Sequence, residues 1–190
     1  MIDYLNQQES IQPFYNNFPD LNGFEKQIKE KSNFSKENRN VLVEVLKEQY
    51  IKFETSETTF ENIESLLKEN TFTITTGHQL NLFTGPLYFL YKIISTINLC
   101  EELQEKYPKQ HFVPVYWMAT EDHDFDEINF FNFKGTKVVW NRKDGGAVGR
   151  FSTEDLNVVL DEFSKHLGPS RNAEYLKNLF KKAYLEHPNL

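Results

Sequence analysis

Thr71–Thr76 reads TFTITT, Gly77–Pro86 reads GHQLNLFTGP, Leu87–Lys106 reads LYFLYKIISTINLCEELQEK and Phe112–Ala119 reads FVPVYWMA. The first piece is short and β-branched and lies between Asn70 and Gly77, so it predicts a strand. Pro86 suits the first position of a helix, and Thr84 is placed to cap it. Leu87, Leu90, Tyr91, Ile94, Ile97 and Leu103 give that helix an apolar face running to about Lys106. The last piece is nearly continuous in apolar residues, as a strand buried on both faces would be. Strand, long helix and apolar strand make one βαβ unit, which implies a parallel sheet with a right-handed crossover. The fold class is therefore α/β, with a Rossmann-like parallel sheet preceded by an amino-terminal helical segment. Only two strands are candidates for parallel pairing, against the five or so of a typical such sheet, so the core reads as incomplete. Residues 1–70 are expected to be a helical segment packing on the core, and residues 71–190 the first part of a catalytic domain.

Upstream, Pro13 and Pro19 interrupt any helix in the first twenty residues. A short helix is expected over Leu21–Lys31. A second runs from an N-cap at Ser35 to about Phe53, with Val41, Leu42, Val45 and Leu46 on one stripe. Thr58 and Glu61 have capping-box spacing for a third, carrying Phe60, Ile63, Leu66 and Leu67. Downstream, Ile128–Phe133 and Thr136–Trp140 look like two strands joined at Lys134–Gly135. Lys143–Gly149 is a glycine-bearing loop in which Asp144-Gly145-Gly146 reads as a turn. Ser152 or Thr153 would cap a helix to about Leu167, ended by Gly168 and Pro169, and Asn172–Leu185 is a last, lysine-rich helix.

Composition narrows the function classes. Twenty-eight acidic and 21 basic residues give a formal charge of −7, which argues against nucleic acid as the main partner. A small anion is not excluded, because backbone amides bind one without any lysine. Hydrophobic residues at 39% and charged residues at 26%, with 17 Phe and 9 Tyr, describe a soluble globular chain. The single cysteine, Cys100, fits a reducing cytoplasm and reads as a small buried residue. The start MIDYLNQQES is not a signal peptide, and no apolar run is long enough to span a membrane.

Two segments are candidates for chemistry. The first is Thr76-Gly77-His78-Gln79 with Thr84-Gly85-Pro86, between the end of a strand and the start of a helix. Open α/β sheets bind ligands there, and helix-start amides favour phosphate or carboxylate. The plain alternative is a polar βα loop whose glycines serve turn geometry. The second is Thr120–Glu127, TEDHDFDE, where carboxylates crowd His123 directly after the second strand. Such crowding suits general acid–base work, and the plain alternative is a solvated acidic turn. It has neither HExxH nor EF-hand spacing, so no metal is expected. Lys92 is expected to be solvated, and His111, His166 and His187 to lie at the surface. Both segments should open on the same edge of the sheet, with His78 and His123 bordering one crevice.

At these segments TGHQLNLFTGPLYFLYKIISTINL and FVPVYWMATEDHDFDEIN closely resemble the bacillithiol biosynthesis cysteine-adding enzymes, the BshC family. The match is clearest from about Thr71 to Gly149. Members of that family are much longer, so the chain resembles their amino-terminal part. The resemblance implies a Rossmann-type core, a later coiled coil with homodimer formation, and small-molecule substrates, cysteine and glucosaminyl-malate, joined as an amide. The core also resembles nucleotidylyltransferases, so an enzyme that activates a small carboxylic acid is the alternative. Their HxGH motif is incomplete here, because of its two histidines only His78 is present. Whether ATP or another nucleotide takes part stays open. On this reading His123, set by Asp122 or Asp124, acts as base, with His78 the other catalytic candidate. Thr76, Gly77, Gln79, Thr84, Gly85, Pro86 and Glu121 bind the substrate or an anion. The part in hand is expected to be inactive alone.

Overall fold

The structure is a computed structural model describing residues 1–143 and 145–190. Asp144, the first residue of the expected Asp144–Gly146 turn, lies outside the described residues.

The chain is α/β and opens with helices: α1 (Ile2–Leu5), a 3₁₀ turn at Glu9–Phe14, α2 (Leu21–Lys31), α3 (Lys36–Tyr50) and α4 (Glu57–Ser65). Asp20, Ser35 and Ser56 sit at the N-caps of the last three, and each side chain accepts from the amide three residues on. Ser35 is as expected. The cap of α4 falls at Ser56, which places Thr58 inside the helix. The stripe expected on α3 is also displaced. Arg39 and Val43 are its buried positions, one helical turn apart, whereas Val41, Leu42 and Val45 are exposed.

Strand β1 (Thr71–Gln79), helix α5 (Leu87–Lys106) and strand β2 (His111–Ala119) form the expected βαβ unit. The two strands pair with each other. The His111 amide donates to Asn70 O at one end, and a Cβ on Gly77 would meet Trp117 O at 3.0 Å toward the other. A near-constant offset in the same chain direction is parallel pairing. β1 runs three residues further than expected, so Gly77, His78 and Gln79 belong to the strand end.

The face expected to bury α5 does not. Leu103 is buried, but Leu87 is 66% and Tyr91 61% exposed, and Leu90, Ile94 and Ile97 are exposed as well. Trp117 and Met118 of β2 are also open. Periodicity identifies which residues share a face, not what lies against it. Among the described residues, no helix is long and apolar enough to cross a membrane.

After β2 come a short helix α6 (Phe125–Ile128), the hairpin of β3 (Phe130–Phe133) and β4 (Thr136–Val139), α7 (Leu156–Leu167) and α8 (Arg171–Phe180), which continues as a π turn over Lys181–Leu185. The hairpin is a separate antiparallel pair. Lys134 and Gly135 turn it with φ of 48° and 80°, the mirror-type turn that matches strand twist. α7 starts later than expected, with Asp155 at its N-cap, because the Thr153 hydroxyl donates instead to His187 O.

The chain folds as two compact units, Met1–Ile74 with Cys100–Val113, and Thr75–Leu99 with Pro114–Leu190. The second has an aromatic core. Phe163 and Phe180 are fully buried, and Phe131, Trp140 and Phe151 nearly so.

Candidate active site

Both sequence motifs are fixed into that aromatic core, each by its own apolar residues. From the first, Leu82 is fully buried and the Phe83 ring packs on Phe131, Phe163 and Phe180 at centroid distances of 5.2, 4.9 and 5.5 Å. From the second, Phe125 meets Trp140 at 5.2 Å and Phe151 at 5.3 Å, and Ile128 is buried beside them. Such anchoring holds a polar loop in one place without using its polar groups.

The first loop is bent sharply to get there. Phe83, Thr84 and Gly85 have φ of 47°, 67° and 49° in succession. Two of these are not glycine, and each such residue costs about 1–3 kcal/mol. Tyr184 holds the bend: its hydroxyl accepts from the Phe83 amide at 2.7 Å and donates to Asn81 O at 3.2 Å. Burial pushes the Tyr184 phenol above its usual pKa, so it stays a donor. At Gly85 a Cβ would lie 2.5 Å from Asn81 Oδ1, so only glycine fits.

His78 is held from both sides of its ring. Nε2 lies 2.8 Å from Tyr88 Oη, and Nδ1 is 2.9 Å from Asn81 Nδ2. Asn81 Nδ2 also donates to Gln79 O at 2.9 Å. Nδ1 also lies 3.0 Å from Gln79 O, so the ring's tautomer decides whether Nδ1–H donates to that carbonyl or Nδ1 accepts from Asn81. The Phe89 ring closes edge-on at 5.9 Å. Lys92 Nζ donates to Gly77 O at 3.2 Å and lies 5.7 Å from the centroid of the Tyr88 ring. Tyr116, its phenol raised in pKa by burial, donates to His78 O at 3.2 Å. Lys92 is solvent-exposed as expected, but it also points an ammonium back at the strand end. Asn81, Tyr88, Lys92 and Tyr116 were not among the expected site residues. The available signal was the four-residue spacing of Tyr88 and Lys92, which puts both on one helix face.

The second loop is pinned by main-chain bonds. Asp122 O accepts from Val148 N at 2.8 Å and Thr120 O from Gly149 N at 3.0 Å. Asp122 Oδ1 accepts from Asp124 N at 2.9 Å, so that carboxylate braces the loop. Among the described residues it makes no bond to the His123 ring, which is exposed, as are Glu121 and Asp124. The two motifs meet through other members: Gln79 Nε2 donates to Glu127 Oε2 at 2.7 Å. Gln79 was an expected binding residue, whereas Glu127 was only one of the surrounding carboxylates.

The sequence matches the family model for the amino-terminal Rossmann-like domain of the bacillithiol biosynthesis protein BshC over residues 1–190. The chain belongs to the BshC family. It is 63% identical over 189 residues to a Flavobacterium johnsoniae protein named "Putative cysteine ligase BshC", covering 99% of this chain and 36% of that protein. A Flavobacterium psychrophilum protein of the same name is 58% identical over 192 residues, again covering 36% of that protein. One from Bacillus thuringiensis is 33% identical over 174 residues, covering 86% of this chain and 31% of its own length. The chain thus spans about a third of the length of these BshC relatives.

Proposed function

We propose that this chain supplies the first part of the active site of a cysteine ligase in bacillithiol biosynthesis. In that reaction the carboxyl carbon of cysteine forms an amide with the amine of glucosaminyl-malate, and the carboxyl oxygen leaves with its activating group or as water. The observation that carries the reading is the Gln79–Glu127 bond, which draws a helix-start loop and a histidine-bearing acidic loop together.

Each residue then has a defined task. Gly77, Gln79 and the Thr84–Pro86 helix start, with Thr76 beside them, offer donors for a carboxylate or phosphate. Lys92 adds a positive charge at the same strand end. His78, held by Asn81 and Tyr88, orients one substrate oxygen. His123, beside Asp122, takes the proton that the attacking amine must lose, and an exposed imidazole on a braced loop can reach an incoming substrate. Glu121 and Asp124 suit an ammonium or sugar hydroxyls. On this reading residues 71–190 are the start of a catalytic domain, and residues 1–70 support it. The working enzyme is a cytoplasmic homodimer, and residues 1–190 do not turn over by themselves.

The test is product formation by the intact protein with cysteine and glucosaminyl-malate, with and without nucleoside triphosphates, followed by mass spectrometry. An amide product that requires both substrates supports the reading. Pyrophosphate release with a carboxylic acid and no amine would instead identify an acid-activating nucleotidyltransferase.

A further inference from the structure

The unit containing residues 1–74 holds a buried cation with no acid beside it among the described residues. Arg39 is 4% exposed. Its Nη1 donates to Leu66 O at 2.8 Å and Thr71 O at 3.2 Å, and its Nη2 to Glu69 O at 3.3 Å. These carbonyls lie where α4 ends and β1 begins, so the guanidinium closes a helix end. Five N–H groups are available and those bonds use three. Nε is unpartnered among the described residues, and so is the hydroxyl of Thr71, itself 2% exposed. A buried charge is normally paired, and a buried donor normally satisfied.

Arg39 and Thr71 both line a cavity of about 370 Å³, a volume typical of small-molecule sites. Its walls are largely apolar, with Phe24, Ile28, Phe34 and Phe72 among them. Lys31 is a second cation on the lining, and among the described residues no Asp or Glu contributes to it. In a chain with 28 acidic residues and a charge of −7, that sets the sign of the ligand.

We infer that this cavity binds a small amphiphilic carboxylate, its head on Arg39 and Thr71 and its hydrocarbon body among the phenylalanines. The remaining guanidinium protons suit a planar oxyanion, which guanidinium binds better than ammonium does. The site is independent of the ligase reading, because it uses none of the residues assigned to it.

Calorimetry of the intact protein with octanoate and with octan-1-ol tests this. Octanoate should bind, and octan-1-ol should bind roughly tenfold more weakly or worse, since a charged hydrogen bond is lost. Ile28→Trp should abolish binding by filling the cavity. Arg39→Met also removes the helix-end bonds, so Thr71→Val and Lys31→Glu carry the test of polarity. Each should weaken octanoate severalfold and leave octan-1-ol unchanged. Equal affinity for the two ligands, indifference to Ile28→Trp, or no octanoate binding at about 1 mM would each overturn the inference.

Discussion

Gln79 at the end of β1 donates to Glu127 in α6 across 2.7 Å, 48 residues apart in sequence. Neither residue is buried, so the bond contributes little to stability and mainly sets the spacing of the two loops. Gln79→Ala in the intact enzyme should therefore lower kcat/KM by about tenfold with little change in Tm. Exchanging the pair, Gln79→Glu with Glu127→Gln, should recover much of the loss. A double-mutant cycle with no coupling would show that the bond does not organise the site.

His123→Asn keeps a hydrogen-bonding side chain and removes proton transfer. Loss of a general base costs about 10²–10⁴-fold in rate. The fall should be in kcat, with circular dichroism and Tm unchanged because the ring is exposed. If kcat stays near normal, His123 is not the base, and His78, already held by Asn81 and Tyr88, is tested next.

The bend at Phe83–Gly85 gives two substitutions of opposite sign. Gly85→Ala drives a Cβ into Asn81 at a φ of 49° and should cost about 1–3 kcal/mol. Because Asn81 also holds His78, activity should fall with it. Thr84→Gly relieves a β-branched residue at φ 67° and should be neutral or mildly stabilising. Urea denaturation of both variants separates these expectations. A Gly85→Ala protein as stable as its parent would show that the backbone relaxes there at little cost.

Burial raises the Cys100 thiol to a pKa of about 11. A raised folded-state value means that the neutral thiol's contribution is complete at neutral pH and is lost as pH rises toward 11. At pH 8 the thiol should resist iodoacetamide in the native protein and react on unfolding. Fast native-state alkylation would contradict its burial.

The apolar face of α5 gives a prediction about association. Leu87, Tyr91, Ile94 and Ile97 are exposed on it, and a contiguous apolar face of that kind promotes association. The 190-residue chain expressed alone should self-associate, and Ile94→Glu with Tyr91→Glu should shift it toward monomer by light scattering. In the intact protein the same pair should instead impair folding, if later segments cover the face.

Local chemistry in the sequence was sufficient for several features. A β-branched run, a proline-started helix and an apolar run specify strand, helix and strand, because period and capping are properties of neighbouring residues. The Lys134–Gly135 turn, the Ser35 cap and the two motif segments were legible for the same reason. Tertiary structure alone decided what touches what. Thr153 lost its capping role to a carbonyl 34 residues away, and Arg39 took a buried place where an aliphatic stripe was expected. The Asp122 carboxylate went to a backbone amide, while Gln79 found Glu127. Polar partners far apart in sequence are chosen by where the aromatic core fixes each loop, and neither spacing nor periodicity encodes that distance.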